Sequence, residues 1–149
     1  MRSCLRRPFA QSRDDATYLE INHMKFMTMV YSDESNGPPP PSLIGAIMQL
    51  GADATKAGVL VEQGGLLRTS AGARVRVTKG KMVFTDGPFT ESKEVVGGYA
   101  VYKVGSKDEV IEWAKRFMQI HIDHWPGWEG VSELRQIFDP ADFAPPSAP

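Results

Sequence analysis

The sequence predicts an α+β fold, and three observations predict it. Two stretches repeat their apolar residues with helical spacing, the strand-like runs between them fall in the order strand, helix, strands, strand, helix, strand, and two of those runs are apolar at nearly every position. At 149 residues with 42% hydrophobic and 23% charged content, the chain fits one compact domain with its own core.

Lys25 to Tyr31 (KFMTMVY) is apolar or aromatic on both parities, as expected of a strand buried on both faces. It runs into Ser32 to Pro41, whose four consecutive prolines cannot continue a strand or lie within a helix. The plain reading of that segment is a rigid connector, with docking to a proline-recognising module as the functional one. Ser42 then stands at an N-cap position, and Leu43, Ile47, Leu50 and Ala54 form one apolar stripe ending near Ala57, with Gly58 as the left-handed stop. Val59 to Leu67 supplies a short apolar run, a break at Gly64 and Gly65, and a second strand expected to begin at Leu66. Arg74 to Lys79 and Lys81 to Thr85 flank Gly80 as a β-hairpin, with Arg74 and Arg76 on one face and Val75 and Val77 on the other.

Gly98 to Val104 (GYAVYKV) reads as another strand. Ser106 to Glu109 is a capping box, and Val110, Trp113, Ala114 and Phe117 follow on one helical face. Trp125 to Trp128 carries Pro and Gly at the central positions of a type II turn, and Val131 to Phe138 alternates as the last strand. The order is that of a ferredoxin-like β-α-β-β-α-β sheet with an added hairpin and both helices on one face. Strands apolar on both faces require cover for the second face, and a homodimer through that face is the expected answer.

The ends differ from the middle. Residues 1–23 show no sustained period and read as a disordered or loosely attached extension, with Met24 as the expected start; residues 139–149 (DPADFAPPSAP) read as a Pro/Ala-rich tail. The domain is therefore expected over residues 24–138. A net charge of -1 gives no field for a polyanion, so nucleic acid is not an expected partner, and no run of some 18 apolar residues suggests a membrane one. Cys4 is the only cysteine, which excludes an intrachain disulfide and makes a reducing cytoplasm the expected compartment.

Chemistry is expected around Phe84 to Tyr99 (FTDGPFTESKEVVGGY). Asp86, held at a strand end before Gly87 and Pro88, is the candidate general acid or base; an Asp bonded to amides of its own turn is the competing reading. Arg74 and Arg76 are the candidate anion binders, and Pro88, Phe89 and Tyr99 complete the expected substrate-binding set. His121 and His124 flank Asp123 at the end of the second helix; His124 is taken as the proton shuttle and His121 as structural. No third metal ligand can be assigned beside them, and there is no P-loop, dinucleotide fingerprint or serine elbow, so neither a metal nor a cofactor is expected.

TDGPFTESKEVVGGY at Thr85 to Tyr99, together with HWPGWEG and ELRQIF within His124 to Phe138, resembles the YCII-related family, in the branch named for its Asp-Gly-Pro-Phe motif. The resemblance runs roughly from Met24 to Phe143. It implies a dimeric α/β barrel of ferredoxin-like subunits, with a cleft at the sheet end near Asp86. The rigidly placed Asp86 beside that cleft makes a small-molecule-binding or enzymatic dimer of lyase, isomerase or hydrolase type, with Asp86 as acid or base, the expected function. Of the His and Asp pair proposed for the wider family, only Asp86 carries over, because Ser42 to Ala57 contains no histidine. The alternative implied by the same resemblance is a non-catalytic ligand-sensing or regulatory module working with an extracytoplasmic-function sigma factor.

Overall fold

A computed structural model describes residues 24–140, so the expected N-terminal extension and the tail beyond Pro140 lie outside the described residues. The chain is a mixed α+β structure built from β1 (Met24–Ser32), α1 (Pro41–Lys56), β2 (Leu60–Gly65), β3 (Ala73–Thr78), β4 (Lys81–Asp86), β5 (Val95–Val104), α2 (Lys107–His124) and β6 (Gly130–Gln136). Four strands form one antiparallel sheet in the order β2-β5-β1-β6, and β3 pairs with β4 in a separate two-stranded sheet. This arrangement is compatible with a ferredoxin-like fold.

The alternation of β1 decides which residues meet the helices. Phe26 pairs with Tyr102, and together with Val104, Ala54, Val59 and Val110 they form the core between the sheet and the helices. Leu43, Val104 and Val110 are fully buried, and each contributes about 1.5–3 kcal/mol through removal from water. Met27, Met29 and Tyr31, with Tyr99 and Val101 opposite them in the ladder, have the other parity and lie on the face that carries no helix among the described residues. α1 and α2 pack together and share an Arg116–Asp53 ion pair of 3.2 Å at the surface.

Several boundaries differ from the sequence reading: β5 begins at Val95 rather than Gly98, β6 spans Gly130–Gln136 rather than Val131 to Phe138, and two further differences have plain causes. α1 begins at Pro41 rather than after Ser42, because a proline at the first helical position lacks only an N–H that would be unbonded anyway, and the Pro40 carbonyl accepts from Leu43 and Ile44. No strand begins at Leu66; Gly64 and Gly65 instead end β2, opposite Tyr99 and Gly98. Gly64 is accommodated there because a Cβ would stand 2.9 Å from the Tyr99 ring. The hairpin turns at Lys79 and Gly80, not at Gly80 alone, with both at positive φ (51° and 72°), the geometry of a type I′ turn.

Candidate functional site

At the end of the sheet where β1 finishes and α1 begins, the sheet and the helices enclose a cavity of about 720 Å³. Its walls are mainly apolar: Val30 and Tyr102 from the sheet, Leu43, Ile44 and Ile47 from α1, Phe117 from α2, and Trp125 and Trp128 from the turn after it. α2 delivers its share because Val110, Ala114, Phe117 and His121 recur at one face, three turns from first to last. The turn places its rings through a Trp128 N–H to Trp125 carbonyl bond of 3.1 Å, and Gly130 leaves the space that the Trp128 ring fills.

Alongside Tyr102, His121 is a buried titratable group of this wall, with 5% of its surface exposed. Its ring lies 4.5 Å from that of Phe117 and 4.4 Å from that of Trp128, measured between centroids. Nδ1 is 2.9 Å from the Phe117 carbonyl oxygen, which can only accept, so Nδ1 carries the proton and Nε2 is the acceptor of the neutral ring. Burial pushes the imidazole pKa below its ordinary value, partly offset by that hydrogen bond.

The mouth of the cavity is held by a chain of polar contacts. Glu34 lines the mouth and accepts from both the N–H and the hydroxyl of Thr69, the latter at 2.8 Å. Those bonds hold its carboxyl below the ordinary value. The Thr69 hydroxyl accepts in turn from the Phe89 N–H at 3.2 Å, and the Gly87 N–H donates to the Gly72 carbonyl at 2.8 Å. The Asp-Gly-Pro-Phe turn is thereby seated on the segment that follows β2. Its Gly87–Pro88 peptide bond is cis.

Of the predicted site residues Tyr99 alone borders the cavity, and by its parity its ring lies on the opposite face of the sheet. Its hydroxyl donates to Glu62 at 2.7 Å, and that carboxylate raises the phenol pKa. Asp86 is exposed at the end of β4 and accepts from the Gly87 N–H at 3.1 Å. Arg74 and Phe89 are brought together, the guanidinium 3.9 Å from the ring centroid, but Arg74 also donates to Glu91 and Ser92 at 3.2 and 3.0 Å. Arg76 and Pro88 are exposed, and His124, the last residue of α2, is half-buried away from the cavity lining.

Of the two histidines, His121, read from the sequence as structural, is the one that the structure places on the cavity wall. The signal for it was present, since it continues the apolar stripe of α2 at a position a solvent-facing histidine would not take. Among the described residues no group of three or more His, Cys, Asp or Glu side chains could hold a metal ion, and no helix is long and apolar enough to cross a membrane. The family model described as YCII-related domain matches residues 24–125. No curated protein matches the chain.

Proposed function

The chain belongs to the YCII-related family, and from that premise we propose that it is a dimeric small-molecule-binding protein whose ligand occupies the cavity between the sheet and the two helices. The observation that carries this reading is the cavity itself, about 720 Å³ walled mostly by apolar side chains with a few polar groups among them. That size and lining suit a drug-sized ring compound. In this reading the subunit is ferredoxin-like, with β3 and β4 as a hairpin inserted between the second and third strands of the split unit, and two sheets face each other across a dimer axis. The Asp-Gly-Pro-Phe turn then serves to fix the cavity mouth through Thr69 and Glu34, rather than to supply the reacting group.

Titration calorimetry with a neutral bicyclic probe, 2-methylnaphthalene, tests the proposal. Binding is expected to the full chain and to be lost in Ile47→Trp, where a half-buried wall residue is replaced by one that fills the space. Absence of binding to the unaltered chain, or equal binding to the filled variant, would remove the cavity from consideration.

A further inference from the structure

We propose that the cavity selects neutral ring compounds carrying a hydroxyl or N–H donor, and that Nε2 of His121 is the acceptor that selects them. The inference rests on the reading of the cavity as a ligand site and assigns the ligand's chemistry. Several polar groups around the wall already hold a bond, and the two carboxylates among them, exposed Asp33 and half-buried Glu34, stand at the mouth. Asp33 accepts from the Ser35 N–H, Glu34 from Thr69, the Tyr99 hydroxyl donates to Glu62, and the Thr28 hydroxyl donates to the Ala100 carbonyl. Of the wall groups without such a bond, Arg68 and the indole N–H groups of Trp125 and Trp128 only donate, and Gln63, Ser32, Ser132 and the Tyr102 hydroxyl both donate and accept. Nε2 of His121 only accepts, and among the described residues no donor is bonded to it.

The surroundings of that nitrogen set the rest of the ligand. Because Nδ1 is turned to the helix backbone, the ring edge bearing Nε2 is the one left for the cavity. Phe117 and Trp128 flank the imidazole at centroid separations of 4.5 and 4.4 Å, and Trp125 lies 6.2 Å from Trp128. A planar ring finds stacking surfaces in that cluster, and a donor on its edge meets the lone pair. A ligand of the same shape without a donor displaces water from Nε2 and leaves it unbonded, which is the larger penalty.

2-Naphthol and 2-methylnaphthalene exchange a hydroxyl for a methyl group of similar size, and their dissociation constants measured by titration calorimetry with the full chain provide the test. The naphthol is expected to bind about 10-fold more tightly, the scale of one buried hydrogen bond. His121→Phe keeps a flat ring between Phe117 and Trp128 and should bring the ratio near one, whereas Gln63→Leu should leave it in place. Equal affinities in the unaltered chain, a preference that survives His121→Phe, or one that disappears in Gln63→Leu would each overturn the assignment. Should His121→Phe fail to fold, the comparison in the unaltered chain and in Gln63→Leu still decides. If neither compound binds, the cavity reading itself has failed; if both bind alike, only the donor requirement has.

Discussion

A Cβ at Gly87 would overlap the Thr69 carbonyl and stand 2.9 Å from that of Gly72, so the turn and its seat would have to separate. Gly87→Ala is therefore expected to lower stability by about 2–3 kcal/mol in urea denaturation, the upper range for overpacking. Asp86→Asn should change it by no more than about 0.5 kcal/mol, because the exposed side chain accepts one N–H bond and an amide oxygen can take the same place. A cost at Asp86 as large as that at Gly87 would contradict this division of roles. His121 gives a prediction in pH. Its folded pKa lies below the ordinary 6.5, so on acidification the unfolded chain gains a proton that the folded chain resists. The neutral ring's contribution is complete above about pH 6.5 and falls as the pH drops toward the lower folded value. Stability curves of the chain and His121→Phe should diverge in that direction, and parallel curves would mean that the ring is not desolvated. The apolar stripe of α2 separates His121 from His124, but it does not show the packing of Phe117 and Trp128 around the ring, which depends on a turn seven residues further on.

At the scale of elements, what was legible is what is local. The Ser106 hydroxyl accepts from the Glu109 N–H at 3.2 Å, and the Glu109 carboxylate accepts from the Gly105 N–H at 3.1 Å, closing the start of α2 much as the capping box predicts. Ser106→Ala should cost about 1 kcal/mol, measured as a lower urea midpoint with an unchanged slope. An unchanged midpoint would show that the helix start is held by packing alone. The Gly64–Gly65 pair misled for the opposite reason. A paired glycine usually marks a break, but the partner that makes room for this one, the Tyr99 ring, comes from β5 and lies 35 residues away in sequence. The cavity mouth is equally nonlocal, since Glu34, Thr69 and Phe89 sit on three different connections.

At the scale of the whole molecule, the double apolar pattern of β1 and β5 carried the most information and also its limit. One parity of each strand enters the core with the helices, as Phe26 and Tyr102 do. The other parity sets Met27, Met29 and Tyr31 beside Tyr99 and Val101, with Val131 half-exposed on β6, on a face that no helix among the described residues covers. Hydrogen bonds from the hydroxyls of Tyr31 and Tyr99 to Glu133 and Glu62, at 3.4 and 2.7 Å, place the polar groups toward the outer strands of that face. An apolar centre with a polar margin is the anatomy of a protein interface, and in the proposed dimer a second copy of the sheet would supply the matching surface. Sedimentation equilibrium should therefore give twice the 16.4 kDa chain mass for the protein. Met29→Glu, which sets a charge in the middle of the apolar strip opposite Tyr99, should shift the species to a monomer with α1, α2 and the helix-side core unchanged. Because the cavity lies on the other face of the same sheet, that monomer should still bind the bicyclic probe; an unaltered chain that sediments as a monomer would instead require the apolar face to serve some purpose other than self-association.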